Sequence, residues 1–209
     1  MSMTESIQNS GLHLSIAGGV MVEKSEEGVV GAKSRSYEDK DGNVKVKFEL
    51  HHKNLTGVIT DIAFVKTDFG EQANITLESS DDKVVLHMST DSNYFSDLAK
   101  KLPNVAINDL VTVNPYDFVD DKGKKRRGIT IIQDGVKLSS FYYDPKTKKN
   151  VGDLPTPAKN GEGFDSDDWK VYFVSVKKFL KAQVEAMDFG VNVITDTPLE
   201  TQDGEEIFG

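Results

Sequence analysis

The stretch that decides the fold is residues 55–103, LTGVITDIAFVKTDFGEQANITLESSDDKVVLHMSTDSNYFSDLAKKLP. Most of it alternates apolar and polar side chains with a period of two, which is typical of β-strands that bury one face. Phe69-Gly70 interrupts the first run, and Asp81-Asp82 forms a turn before KVVLHMST. The pattern therefore predicts a meander of three strands between residues 56 and 90.

After residue 90 the apolar period changes to about 3.6, which indicates a short helix. Asp91 or Ser92 supplies the N-cap, and Pro103 ends the helix. The apolar stripe of this helix consists of Tyr94, Phe95, Leu98, Ala99 and Leu102.

Strand patterns flank this stretch at residues 44–50, 110–119 and 127–133. A short helix inserted between the third and fourth strands of a five-stranded sheet is the order found in OB barrels. We therefore expect a mainly β protein with α additions. Its architecture would be an OB-fold-like five-stranded antiparallel barrel with an inserted short helix and a long C-terminal helix.

The long helix is predicted at residues 166–187, after a linker at 144–164 that is rich in Pro, Gly, Lys and Asn. Asp165 or Ser166 caps it. Its apolar face consists of Trp169, Tyr172, Phe173, Val176, Phe179, Leu180 and Val184. This face packs either on the chain's own barrel or on a second copy, so a homo-oligomer is one of two alternatives.

Composition divides the 209 residues into three segments. We predict a flexible N-terminus at 1–11, an OB-fold-like domain at 12–187 and a disordered acidic tail at 188–209. The net charge is −9, and the tail contributes −6 of it because it has six acids and no base. The remaining residues hold 25 bases and 28 acids, so a local surface for a polyanion is compatible with the acidic total.

Several classes of protein are disfavoured by what the sequence lacks. It has no cysteine, which excludes disulfide scaffolds, thiol catalysis and iron–sulfur clusters. The stretch MSMTESIQNSG has no basic flank followed by an apolar region, and no apolar run approaches about 18 residues. We expect a soluble intracellular protein with no membrane partner.

The familiar catalytic motifs are also missing: there is no phosphate-binding glycine loop, nucleophile elbow or H-E-x-x-H. The four histidines, His13, His51, His52 and His87, lack the spacing of a metal site. A hydrolase or nuclease would need carboxylates around a metal, for which Asp61, Asp68 and Glu71 are the available but poorly spaced set. We therefore expect a protein that is not an enzyme and that has no cofactor or metal.

The densest basic cluster lies between two predicted strands and contains Lys122, Lys124, Lys125, Arg126 and Arg127. Tyr116 and Phe118 precede it on one strand face. Basic loops beside aromatic rings are typical of single-strand binding, because cations neutralise phosphates while each ring stacks on a base for about 1–3 kcal/mol. The alternative is a solvated hairpin tip above core aromatics.

A second aromatic-then-basic set consists of Phe141, Tyr142, Tyr143, Lys146, Lys148 and Lys149, and one of its rings is expected in the core. Lys45, Lys47 and Lys66 would extend a basic track across the barrel. Exposed strand lysines also serve to protect sheet edges from association, which is the alternative for these three residues.

The C-terminus places two apolar residues at the tip of an acidic segment: Asp203, Glu205, Glu206, Ile207 and Phe208. Such a tip fits a hydrophobic pocket rimmed by Lys or Arg on a partner, and its charge competes with DNA for a basic groove. An accidental dipeptide is the alternative.

Five features together carry a family resemblance. They are the segments 100–104 (KKLPN), 113–116 (VNPY) and 123–130 (GKKRRGIT), the D-S-D-D-W helix start at 165–169, and the acidic tail ending in Ile-Phe. In these features the chain resembles the single-stranded DNA-binding proteins of tailed bacteriophages. The resemblance covers roughly residues 12–186 and the tip.

The resemblance implies an OB barrel that coats single-stranded DNA without strong sequence preference during phage replication and recombination. It implies that Lys124, Lys125, Arg126 and Arg127 contact the DNA backbone and that Tyr116 and Phe118 stack on bases. It also implies that the tail recruits a phage polymerase, helicase or primase, or recombinase, in the cytoplasm of an infected bacterium. The alternative function is a phage structural or assembly protein without affinity for nucleic acid.

Overall fold

The computed structural model describes residues 11–39, 41–80, 82–158 and 163–189. The strands are β1 Leu12–Ala17, β2 Val20–Ser25, β3 Lys33–Glu38, β4 Val44–His52, β5 Leu55–Thr67, β6 Gly70–Glu78, β7 Lys83–Ser89, β8 Val111–Val119, β9 Lys125–Gln133, β10 Val136–Lys137, β11 Tyr143–Asp144 and β12 Lys149–Asn150. The helices are α1 Asn93–Ala99, a 3₁₀ turn Leu102–Asn104, and α2 Ser166–Glu185. The prediction of a mainly β protein with a short helix and a long C-terminal helix is confirmed.

Local signals explain these elements. The predicted meander is β5, β6 and β7, joined by antiparallel ladders such as Ile62↔Ile75 and Ile75↔Leu86. Ser92 caps α1, with its hydroxyl accepting a hydrogen bond from the Phe95 amide at 3.2 Å. Asp165 caps α2 in a reciprocal capping box with Asp168.

The prediction of a closed, wholly antiparallel barrel of five strands is wrong. Ten strands form one open sheet in the order β10-β9-β8-β5-β6-β7-β1-β2-β4-β3. It is a mixed sheet because β1 runs parallel to β7 while the other ladders are antiparallel. The N-terminal strands β1, β2 and β3 were not part of the sequence prediction.

The barrel stays open because both strand edges that would have to meet already have partners. On β7, the edge is paired with β1, for example through Leu14↔Leu86. On β9, Asp97 of α1 and Lys101, just beyond the helix, bond to the backbone of Ile129. The Ile129 amide donates to the Asp97 carboxylate at 2.8 Å, and its carbonyl accepts from the Lys101 ammonium.

Both helices cover one face of the sheet, and the core lies between them and that face. Phe64 of β5 meets Phe95 of α1 edge to face, with 5.8 Å between ring centroids. From α2, Val176, Leu180 and Val184 are buried. The helix therefore packs on its own chain along its second half.

The first half of the predicted apolar face of α2 behaves differently, because Trp169 is 40% and Phe173 62% exposed. At the other end, the packed chain continues to Phe189, which is buried against the core two residues beyond the predicted domain end at 187. Among the described residues, the helices are too short or too polar to cross a membrane.

Candidate nucleic-acid interface

A basic surface occupies one face of the strands β2, β4 and β3, on the side away from the buried Met21. Directly opposed residues of neighbouring strands share a face, so the register assigns its members. Lys24, Glu49 and Lys33 form one row across the three strands; Lys47 opposes Arg35, and Lys45 opposes Tyr37. We call Lys24, Lys33, Arg35, Tyr37, Lys45 and Lys47 the basic face.

Glu49 organises the centre of the basic face. Its carboxylate lies 2.6 Å from the Lys47 ammonium and 3.3 Å from the Arg35 guanidinium, and the residue is only 4% exposed. Burial by itself would raise the pKa of this carboxyl, but Lys47 and Arg35 outweigh burial and hold the pKa below its usual range. Glu49 is thus a charged anchor that holds two cations side by side.

The rest of the basic face is open to solvent. Lys24, Lys33 and Lys45 are exposed, and the Tyr37 ring is 42% exposed. The five cations of this face meet two carboxylates: Glu49 at its centre, and Asp39, which follows β3 and lies 2.8 Å from the Lys45 ammonium. Lys24 and Lys33 are the cations of the face that lie outside the ion pairs of the described residues. The arrangement combines excess positive charge with an accessible ring, which is the chemistry that single strands of nucleic acid require.

Sequence reasoning identified Lys45 and Lys47 but missed Lys24, Lys33, Arg35 and Tyr37. A signal was present, because KSRSY at 33–37 places two cations and an aromatic ring at every second position. Because serines take the places of the apolar residues in this period-two pattern, the pattern does not predict a half-buried strand.

The basic hairpin, residues 122–127, is a second candidate surface. Its four predicted contact residues, Lys124, Lys125, Arg126 and Arg127, are all exposed. Three of them already have carboxylate partners. Arg127 lies 2.7 Å and Lys125 3.6 Å from Asp117, and Arg126 lies 2.8 Å from Asp120.

These contacts stabilise the charged forms of the two carboxylates and fix the positions of the arginines. Hydrogen bonds from Arg127 hold the pKa of Asp117 below its usual range, and the Lys124 amide and Arg126 do the same for Asp120. The guanidinium of Arg127 also lies over the Tyr94 ring, 5.6 Å from its centroid. The hairpin, like the basic face, therefore has two cations, Lys122 and Lys124, outside the ion pairs of the described residues.

The two predicted stacking rings on β8 have different environments. Phe118 is 53% exposed, and its ring centroid lies 5.7 Å from that of Tyr116. Tyr116 opposes Gly128, and its hydroxyl donates to the Asp97 carboxylate at 3.1 Å. A Cβ at position 128 would collide with both groups, so glycine is what admits this contact. Phe118 is the accessible ring of the pair.

This contact predicts an alkaline loss of stability. Burial, assisted by Asp97, raises the pKa of Tyr116 to about 12. The unfolded phenol titrates near about 10. The protonated Tyr116 phenol therefore contributes its full stabilisation of the folded state below about pH 10, and this stabilisation is lost progressively as the pH rises from there toward about 12. Denaturant unfolding across that window should show a smaller decline for Tyr116→Phe than for the unmodified chain.

Tyr143→Phe is the matched control, because Tyr143 is 41% exposed. Its decline should equal that of the unmodified chain. If Tyr116→Phe declines as steeply as this control, the hydrogen bond to Asp97 does not govern the alkaline behaviour.

The other predicted site residues are scattered. Tyr142 is 4% exposed and meets Phe179 edge to face, so it is a ring of its predicted set that packs in the core. Tyr143 is exposed on the small β11–β12 ladder. Lys66 opposes Glu71 and lies on the same face of β5 as Phe64, which is the face that the helices cover. The structure therefore does not bring Lys66 to Lys45 and Lys47.

The histidines form pairs with other side chains. His13 and His87 share a hydrogen bond of 2.7 Å, His87 continues to Asn74 at 2.8 Å, and His52 meets Glu23 at 2.9 Å. Among the described residues, no three metal-ligating side chains are close enough to hold an ion together. Of the carboxylates considered for a hydrolase, Glu71 is bonded to Lys181.

The predicted partner-binding tip, Asp203, Glu205, Glu206, Ile207 and Phe208, lies outside the described residues. Comparisons of the chain with protein-family models, with curated proteins and with solved structures found no match.

Proposed function

We propose that this chain is a non-enzymatic single-stranded DNA-binding protein that tolerates many base sequences. The observation that carries the proposal is the basic face, where five cations share one strand face with the buried carboxylate of Glu49 and with an exposed tyrosine, and Asp39 pairs with one of them. Cations on rigid strands neutralise phosphates without reading base identity. An exposed ring adds a stacking platform that accepts any base.

The basic hairpin is assigned a supporting role in this proposal. Lys122 and Lys124 are the hairpin cations best placed to reach a strand, together with the exposed Phe118 of β8, because Lys125, Arg126 and Arg127 are bonded to Asp117 or Asp120. Phosphates would compete with these carboxylates for Arg126 and Arg127, as they would with Glu49 for Arg35 and Lys47 on the basic face.

The finer fold proposal concerns the part of the sheet formed by β5 to β9. There the long strand β5 pairs with both β6 and β8, and α1 lies between β7 and β8 in the chain. This order supports a relationship to OB domains, which bind oligonucleotides on one sheet face and its loops. In this reading β1 to β4 are an addition to the OB-like set that supplies the basic face.

The acidic tail and the phage setting complete the proposal. The tail carries five acids and no base between residues 190 and 209, with Ile207 and Phe208 at its tip. A segment of this chemistry fits recruitment of a phage polymerase, helicase or primase, or recombinase, through an apolar pocket with a basic rim. Such a protein would act in the cytoplasm of an infected bacterium.

Fluorescence anisotropy with labelled oligo-dT tests this proposal on the full chain. We expect binding at low salt that weakens as salt is added. The logarithm of the binding constant should fall against the logarithm of the salt concentration with a slope of about 0.7 for each neutralised phosphate. Oligo-dA should bind with similar affinity, and a duplex of equal length should bind more weakly. No binding of any oligonucleotide at low salt would reject the function and favour a phage structural or assembly protein.

A further inference from the structure

A groove lies between α1 and the exposed half of α2, separate from both basic surfaces. Its volume is about 400 Å³, and its apolar lining includes Phe95, Tyr172, Phe173, Val176 and Leu180. Phe173 is 62% and Val174 51% exposed at its mouth, so apolar surface continues outward from the groove. Exposed apolar surface of this kind marks a contact with another segment or molecule.

Two cations border the groove. Lys177 is bonded to Asp91 at 2.6 Å, so its charge is compensated. Lys100 is half-buried, and its nearby carboxylate Asp97 is bonded to Lys101 instead. Burial lowers the pKa of Lys100 although Asp97 acts in the opposite direction, so a further carboxylate beside this ammonium would be stabilising. The groove thus fits an apolar residue that is flanked by acids.

The chain's own C-terminus has that chemistry. Glu205 and Glu206 directly precede Ile207 and Phe208. The tail starts beyond Phe189, at the C-terminal end of α2. Phe173 lies 12 positions before the end of α2 at Glu185, which is about 18 Å along the helix. Eighteen residues lie between Phe189 and Phe208 and give the segment a reach of about 60 Å when extended, so the tip can return to the groove without strain.

We propose that Ile207 and Phe208 of this chain seat in the groove between α1 and α2, with Glu205 or Glu206 facing Lys100. The occupant is the chain's own tail, because the reach is sufficient and a tethered segment acts at a high effective concentration. This inference does not depend on nucleic-acid binding. It assigns the tail a resting place away from the basic face and explains why the outer half of α2 is apolar.

Energy transfer in the full chain tests the proposal. Trp169 is the sole tryptophan and meets Tyr172 and Phe173, so it is a native donor at the groove. The chain has no cysteine, so Gln202→Cys accepts a single dye close to the tip. We expect efficient transfer from Trp169 to this dye. It should drop severalfold when Ile207→Ala and Phe208→Ala are introduced together, and also with Lys100→Gln.

The donor lifetime is measured with and without the dye for each variant, which removes direct effects on the tryptophan. Phe173→Ala should lower transfer, whereas Phe69→Ala should not, because Phe69 is an 84% exposed phenylalanine on the β5–β6 turn. Both are surface rings, so neither change threatens the core.

Three results would overturn the proposal. One is transfer that ignores the Ile207→Ala and Phe208→Ala changes. Another is transfer lost with Lys24→Glu and Lys33→Glu but kept with Phe173→Ala, which would put the tail on the basic face. The last is transfer that vanishes when labelled chains are diluted with unlabelled Trp169→Phe chains, which add no donor; this loss would identify the tail of a second copy as the occupant.

Discussion

A chain carrying Lys24→Glu and Lys33→Glu is expected to bind oligo-dT on the order of 10²-fold more weakly at low salt than the unmodified chain. Both lysines belong to the row of the basic face that contains Glu49. Neither forms one of the ion pairs of the described residues, but both oppose Glu49 across the sheet, so the new carboxylates also compete with Glu49 for Arg35 and Lys47. The loss should be the same for every base sequence, because phosphate contacts carry no sequence information.

Lys137→Glu with Lys178→Glu is the matched control for this loss. Both lysines are exposed, lie on β10 and α2, and change the net charge by the same amount. Their effect should be small and should vanish at moderate salt, since distant charges are screened. Equal losses in the two double variants would show that only the overall charge matters. A loss found instead with Lys124→Glu and Arg126→Glu would move the site to the basic hairpin.

The second large effect concerns stability: Asp97→Ala should lower the free energy of unfolding by about 3 kcal/mol, since it leaves a buried cation without its partner. The Asp97 carboxylate accepts hydrogen bonds from the Ile129 amide at 2.8 Å, the Lys101 ammonium at 2.8 Å and the Tyr116 hydroxyl at 3.1 Å. Lys101 is only 7% exposed. One side chain thus joins α1 to the edge of β9 and to the β8 ring.

Thermal unfolding measures this effect, and a loss of about 3 kcal/mol corresponds to a fall in Tm of roughly 6–12 °C for a chain of this size. The Tm of Asp97→Asn should lie between that of Asp97→Ala and that of the unmodified chain, because an amide oxygen still accepts a hydrogen bond from the Ile129 amide but carries no charge to pair with Lys101. Asp109→Ala, on an exposed turn, should stay within about 0.5 kcal/mol of the unmodified chain. A Tm for Asp97→Ala equal to that of Asp109→Ala would remove Asp97 from the support of the sheet.

Local patterns were sufficient for part of the fold. The apolar period identified β5, β6 and β7, the change of period identified α1, and the Asp-rich start identified α2. In each case neighbouring residues carry the signal. The strand β3, with KSRSYE, has no apolar alternation, and the parallel pairing of β1 with β7 joins segments about 70 residues apart in sequence. Neither the strand β3 nor the pairing of β1 with β7 can be predicted from the residues of a short segment of sequence.

The candidate site divides in the same way. Lys45 and Lys47 were found because alternation within β4 places them on one face. Lys24, Lys33 and Arg35 join them through neighbouring strands, so finding them required the sheet order. The burial of Tyr142 beside Phe179 depends on where α2 docks, and sequence spacing could not separate it from the exposed Tyr143.

The position of β1 in the sheet has a consequence for how the protein assembles. β1 precedes β5 to β10 in the chain, yet its ladders join these strands on one side to β2, β4 and β3 on the other. During synthesis β1 leaves the ribosome before β7, so its parallel edge cannot pair until β7 has emerged. The set β5 to β9 with α1 is therefore the natural first folding unit, and the basic face would be attached last.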